Sequence, residues 1–388
     1  MEISTCVKYV GVNDHQVDLF EGQYKVPNGM SYNSYVILDE KIAVMDTVDG
    51  FFTEEWLNNV EQVLSGKTPD YLVIQHMEPD HSASIPAFLK KYPKTTVVST
   101  AKGFQFMEQF FPEFFAEQGL PAEQRIVAAN DGVLELGQHS LHFVYAPMVH
   151  WPEVMMTYEA TEKILFAADG FGKFGALDVE EEWADEARRY YIGIVGKYGP
   201  QVQAVLKKAA GLDIQTICSL HGPVLTENLE FYLDKYNKWS SYQPEESGVV
   251  IAYASVYGNT RNAAEYLADV LQEKGQKTVL YDLARCDKAK AVADAFRYDR
   301  LVLAGITYNG DLFPCMRSFI EGLTERNYQN RKVAIIENGT WAPMAGKLIL
   351  GMFEKSKNLT FTETTVSIKS AMNAQNKSEI GKLAEELC

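Results

Sequence analysis

A chain of 388 residues is longer than one ordinary hydrophobic core organises and suits two domains. Its 46% hydrophobic and 23% charged residues are those of a soluble globular protein, and no run of about 18 apolar residues is present to span a bilayer. A formal net charge of −16 argues against nucleic acid and anionic membrane as partners, because such partners need cations to meet them.

The first stretch, MEISTCVKYVGVNDHQ, has an acidic second residue, one early lysine and no apolar segment. It does not read as a secretory leader, so a cytoplasmic protein is expected. Short apolar runs follow, SYVILD and KIAVMDT, and later LHFVYAP and KILFAAD, with helical patterns between them. A two-sheet core flanked by helices fits them, a topology that periodicity alone does not fix. The run YLVI leads into QHMEPDHSAS, which sets His76, Glu78, Asp80 and His81 within six residues. Strand alternation would make His76, Glu78 and Asp80 converge, with His81 opening the next element. Imidazole and carboxylate at this density are donors for a metal, but four are too few for a pair of ions. Further candidates end later apolar runs: His150 in APMVHWPE, Asp169 in LFAADGFG and His221 in CSLHGP. Four of the seven histidines occupy these places; His15, His139 and His142 have no such setting and read as surface or core residues.

Other polar positions in this half carry two readings each. Asp46, ending KIAVMD, could orient a ligand histidine or cap a turn. Tyr190 and Tyr191 in RRYYIGI are candidates to give a proton or hydrogen bond to a bound substrate, against simple core packing. DVEEEWADEARR reads as an exposed helix with an acidic start and a basic end that complement its dipole. Cys6, Cys218, Cys286, Cys315 and Cys388 are far apart without a CxxC and read as free thiols, which excludes an appended rubredoxin-type or zinc-ribbon module.

Polar and turn-forming residues thicken at YNKWSSYQPEESG, a predicted linker that divides the chain into domains 1–243 and 249–388. Beyond it, strand and helix alternate five times with short connections, which predicts a doubly wound parallel sheet. In such sheets ligands bind beyond the carboxyl ends of the strands. The first strand ends in ASVYGNTRN, where Ser255, Tyr257, Gly258, Asn259 and Thr260 lead into a helix and offer hydroxyls, N–H groups and the positive end of a dipole to a phosphate. The third ends in GITYNGDLFP, with Thr307, Tyr308, Asn309 and Gly310, and the fourth in ENGTWAP, with Asn338, Gly339, Thr340 and Trp341. Together they suit a flat ring that is stacked and hydrogen-bonded. Neither G-x-G-x-x-G nor a Walker pattern is present, which favours a mononucleotide over NAD or ATP.

The three loops resemble the FMN-binding loops of flavodoxins. The pattern around His76 resembles the metallo-β-lactamase motif His-x-His-x-Asp-His, with Glu78 where the second histidine would stand. That replacement, with the later His150, Asp169 and His221 and an FMN domain behind, resembles the flavodiiron proteins over essentially the whole chain. The resemblance implies a metallo-β-lactamase-like αββα sandwich followed by a flavodoxin-like domain. It implies one iron held by His76, Glu78 and His150, another held by Asp80, His81 and His221, and Asp169 bridging the two. It also implies reduction of dioxygen to water or of nitric oxide to nitrous oxide, a rubredoxin or similar small redox protein as electron donor, and a head-to-tail homodimer or dimer of dimers. Some members carry a histidine in the stretch corresponding to LFEGQY, placed to hydrogen-bond the bound diatomic; this chain has Phe20-Glu21-Gly22 there. A hard carboxylate at Glu78 suits iron that cycles between oxidation states and speaks against the alternative, a binuclear zinc hydrolase with an appended flavin domain.

Overall fold

The computed structural model describes residues 3–388. By packing, the chain divides into two compact units, one of residues up to Tyr191 together with Pro200–Tyr236, the other of Ile192–Gly199 together with Asn237–Cys388.

In the first unit the strands are β1 (Val7–Tyr9), β2 (Val12–Asp14), β3 (Leu19–Phe20), β4 (Tyr24–Lys25), β5 (Met30–Tyr32), β6 (Tyr35–Ile37), β7 (Ala43–Met45), β8 (Tyr71–Val73), β9 (Thr96–Ser99) and β10 (Arg125–Val127). They continue with β11 (Val133–Glu135), β12 (Ser140–Tyr145), β13 (Met155–Glu159), β14 (Ile164–Phe166) and β15 (Thr216–Cys218). One sheet has the order β1-β6-β7-β8-β9-β10 and the second β11-β12-β13-β14-β15, and β2-β5 and β3-β4 form two small antiparallel pairs. The expected two-sheet core is present. Ile37, Met45, Val73 and Val98 of the first sheet pack against Leu141, Phe143, Met155 and Phe166 of the second, because period-two alternation sends these side chains to one face. Helix Thr53–Leu64 covers the first sheet; Trp56, Val60 and Leu64 recur every four residues, all buried, and Trp56 lies against Phe88 at 5.5 Å. It stops at Ser65 in the left-handed conformation, followed by Gly66.

Two local expectations change. The stretch DVEEEWADEARR is helical only from Trp183, in Trp183–Tyr190, and its basic end is buried. Arg188 and Arg189 pair with Asp185 and Glu186 one turn back, at 2.9 and 2.6 Å, and the Arg189 guanidinium lies 4.4 Å from the centre of the Phe174 ring. A planar cation that can stack and pair is buried far more cheaply than a lysine would be. The predicted linker is also mostly ordered: helix Leu229–Ser240 runs through its first part, and the next strand begins at Glu246. Trp239 donates to Glu245 at 2.7 Å across the short turn between them.

The second unit carries β16 (Glu246–Tyr253), β17 (Thr278–Asp282), β18 (Tyr298–Tyr308), β19 (Asp311–Leu312), β20 (Arg331–Asn338) and β21 (Leu359–Ile368). Its sheet has the order β17-β16-β18-β20-β21, parallel throughout, with β19 folded back on β18. This doubly wound order reverses direction at β16, so the ends of β16, β18 and β20 open on a common crevice. Helices Asn259–Glu273 and Ala374–Leu387 share one core with alternate residues of the strands, among them Val249, Ile251, Val302 and Ile336. Buried Arg331 donates to the carbonyls of Tyr298 and Tyr242, both at 2.7 Å, and to that of Phe296, satisfying three backbone acceptors at once. No helix among the described residues is long and apolar enough to cross a membrane. All five cysteines are free.

Candidate metal centre and flavin crevice

The ends of β7, β8, β12, β14 and β15 carry the ligand-type side chains of the first unit. After β8 the chain is extended through His76 to Glu78 and then enters the four-residue helix Pro79–Ser82. Asp80 and His81 therefore both sit on that helical turn, and strand alternation does not account for Asp80. Pro79 starts the turn, since its fixed φ and missing N–H suit a first helical position. Three later loops bring His150, Asp169 and His221 to the same place.

The seven side chains form two groups. In one, the Nε2 of His76 lies 3.2 Å from Glu78 and 3.3 Å from Asp169 Oδ2, while the Nε2 of His150 lies 3.1 Å from each of the same carboxylates. In the other, the Nε2 atoms of His81 and His221 lie 3.1 Å apart, and each is 3.3 Å from Asp80 Oδ2. Asp169 faces both groups, with Oδ1 3.3 Å from His81. Such separations match those of donors arranged around a cation. Both oxygens of Asp80 and Oδ1 of Asp169 are buried with no hydrogen-bond donor, an expensive state for carboxylates that a cation would relieve. The donor set thus fits two ions.

Charges in this pocket are coupled. Burial disfavours ionised Asp169, yet His76, His150 and His81 around it hold its pKa well below the carboxylate range. Burial likewise opposes charge on His76, but Asp169, Glu153 and Glu78 raise its pKa well above the usual value. Glu78 is lowered by bonds from His150 and His76 in spite of its burial.

Residues that hold the ligands in place were mostly not legible. Glu153 Oε1 accepts from the Nδ1 of His76 at 2.8 Å and from the N–H of Met77 at 2.9 Å. The Ser31 carbonyl accepts from the Nδ1 of His221 at 2.7 Å. Asp46 touches no imidazole: it accepts the N–H groups of Gln75 at 2.7 Å and of His76 at 3.4 Å, and the Gln75 amide at 2.9 Å, so it fixes the backbone entering the turn. Asp46 and Ala168 are both left-handed, at φ 53° and 48°, which concentrates backbone strain where the strands hand over to the site.

Of the two tyrosines, Tyr190 is buried with its ring 5.4 Å from that of His221, whereas Tyr191 packs against Tyr236 at 5.1 Å. Phe20 covers His221 edge-on at 5.4 Å, and Trp151 stands perpendicular to His76 at 5.3 Å. Glu21 lies exposed at the β3-β4 turn; its carboxyl is pushed up to about 7 by partial desolvation and then by the charge of Glu78. The other histidines are elsewhere: His15 is exposed and 3.0 Å from Asp178, His142 lies on β12, and His139 is buried.

In the second unit, a cavity of about 410 Å³ opens at the ends of β16, β18 and β20. Ser255, Tyr257, Asn259 and Thr260 line it from the first loop, Thr307 to Gly310 from the second, and Asn338 to Trp341 from the third. Val256, Ile306, Ala342, Met344 and Ser370 line it as well and were not singled out from the sequence. Gly258 adopts φ 89° at the start of helix Asn259–Glu273, and its N–H donates to Ser255 Oγ at 3.1 Å. Thr307 spends its hydroxyl on the N–H groups of Met344 and Ala345, at 2.8 and 3.1 Å, and so caps the helix beginning at Ala345. Tyr257 is 93% and Trp341 81% exposed, which leaves both aromatic faces open to a flat ring. A polar helix start with aromatic walls fits a flavin mononucleotide. Trp341→Ala is expected to weaken FMN binding by about 2–13-fold, the range that corresponds to the ~0.5–1.5 kcal/mol of a stacked aromatic pair. Fluorescence titration of the deflavinated protein would measure it.

Comparison with known proteins covers both units. Residues 30–222 match the ODP family beta lactamase, and residues 250–358 match a flavodoxin domain. The chain is 27% identical over 391 aligned residues to an anaerobic nitric oxide reductase flavorubredoxin of Vibrio vulnificus, covering 97% of this chain and 76% of that protein. The flavodiiron protein of Giardia intestinalis superposes with a TM-score of 0.90 at 25% identity, over 100% of this chain and 96% of the other. The rubredoxin oxygen:oxidoreductase of Desulfovibrio gigas has the same fold, with a TM-score of 0.91 at 24% identity, covering 100% and 97%.

Proposed function

We propose that this chain, which belongs to the flavodiiron proteins, reduces dioxygen to water, nitric oxide to nitrous oxide, or both, with electrons delivered through FMN. The observation that carries the reading is the seven-residue donor set, buried except for the partly buried Glu78, combined in one chain with the flavodoxin-type crevice.

His76, Glu78 and His150 would hold one iron and Asp80, His81 and His221 the other, with one oxygen of Asp169 turned to each. The two irons supply two electrons and a paired site for diatomic gases, and the reduced flavin supplies two more. Glu153 and the Ser31 carbonyl hold the Nδ1 protons of His76 and His221, so each Nε2 faces the centre and would give up any proton of its own to a bound ion. Phe20, Trp151 and Tyr190 exclude water from its flanks. Burial first, then the charges of Asp169, Glu78 and Asp80, raise the Tyr190 pKa well above that of an ordinary phenol. Its hydroxyl therefore keeps its proton and would be available to donate a hydrogen bond to a bound substrate. Glu21, in the stretch where some members of the family carry a histidine, would set the polarity of the mouth.

We assign electron delivery to a separate rubredoxin or similar small redox protein, the working form to a head-to-tail homodimer or dimer of dimers, and the location to the cytoplasm. The test is anaerobic protein reduced through a rubredoxin-type donor, with consumption of dioxygen and of nitric oxide followed side by side. Turnover of at least one gas is expected. Failure with both, with the flavin reduced and iron present, would overturn the reductase reading and make hydrolysis at the same centre the reaction to assay.

A further inference from the structure

The strands that deliver the dinuclear donor set begin at the opposite end of the β-lactamase-like unit. There the loop before β7 carries Asp39, the turn before β12 carries His139, the turn before β14 carries Glu162, and Cys6 stands just before β1. The ligand atoms of Cys6, His139 and Glu162 lie within 4.8 Å of one another. His139 is buried and turns Nε2 toward Glu162 at 3.3 Å. Its other nitrogen, Nδ1, donates to Asp39 Oδ2 at 2.8 Å, and the same oxygen accepts the His139 N–H at 2.7 Å. Gly137 makes room for this arrangement, since a Cβ there would meet Asp39 Oδ1 at 2.8 Å.

We propose that Cys6, His139 and Glu162 form a third metal site, mononuclear and suited to zinc or an ion of its class, with Asp39 as the residue that orients the imidazole. A thiolate, an imidazole and a carboxylate are the donor types of protein zinc, and a carboxylate on the far nitrogen of a ligand histidine is the usual support. Donors about 2.0–2.3 Å from a tetrahedral ion stand about 3.3–3.7 Å apart, so the side chains need only draw in slightly. The ion would displace the proton that His139 shares with Glu162 and the thiol proton of Cys6. Cys6 immediately precedes the edge strand β1 of the first sheet, and His139 and Glu162 lie in turns of the second, so an ion here would clamp the two sheets together.

The test uses the intact protein with its iron and FMN, given zinc alone and then desalted. About one zinc per chain is expected beyond the iron already present. Cobalt in place of zinc should produce a near-ultraviolet thiolate-to-metal absorption that Cys6→Ser removes, and His139→Gln and Glu162→Gln should each weaken zinc by at least about tenfold. Zinc uptake matched by loss of iron would mean exchange at the dinuclear centre and would overturn the proposal. So would uptake that all three variants retain, or no uptake, which would leave His139 as a charged link between two carboxylates. Circular dichroism identifies any variant that fails to fold, and the remaining two then decide.

Discussion

Asp169→Asn is expected to lower the iron content from two per FMN to one or fewer and to cut turnover of either gas by more than about 100-fold. Its two oxygens face different imidazole groups, 3.1 Å from His150 on one side and 3.3 Å from His81 on the other. An asparagine offers one acceptor oxygen and an NH₂ that would point at one of those groups, and it removes the carboxylate that both groups share. Loss of an outer partner of a ligand typically costs 10–100-fold in metal affinity, and loss of a shared ligand should exceed that. Iron analysis and gas-consumption assays on the same preparation make the measurement, with FMN content as the control for folding of the other unit. A variant that kept two irons and full turnover would remove Asp169 from the bridging role.

Glu153→Gln tests the support beneath the site. Glutamine keeps an acceptor for the Nδ1 of His76 and the N–H of Met77 but loses the negative charge that makes the imidazole a stronger ligand. Iron affinity at the His76 position should fall by about 10–100-fold. Chelator competition followed by the iron-to-FMN ratio reads this directly. Glu153→Leu, which leaves the buried Nδ1 without a partner, should fall further. An unchanged ratio for both variants would mean that His76 is held by the rest of its loop.

Much of the fold was legible because its signals are local. The second unit alternates apolar strand runs with amphipathic helices, and its turn residues fall at the strand ends, so its doubly wound order and its three crevice loops could be read before any contact was known. Within the first unit, the crowding of His76, Glu78, Asp80 and His81 marked one end of one strand, and matching positions after later runs pointed to His150, Asp169 and His221. The departures concern features that depend on what lies across a gap in sequence. Arg188 and Arg189 read as exposed because charge alone predicts exposure, whereas the stacking surface of Phe174 comes from another segment. Strand alternation reaches one residue too far, to Asp80, because a four-residue helix is too short to impose a period of its own.

What the sequence by itself determined is therefore the set of elements, their order, and the chemical types available at the strand ends, since periodicity and spacing act within a few residues. Only the tertiary structure decided which of those groups meet. The pairing of Glu153 with His76 spans 77 residues, and that of the Ser31 carbonyl with His221 spans 190. The gathering of Cys6 with His139 and Glu162 likewise depends on two sheets closing face to face. Such partners are chosen by sheet register and by burial of the shared core, which bring together side chains that carry no mark of one another along the chain.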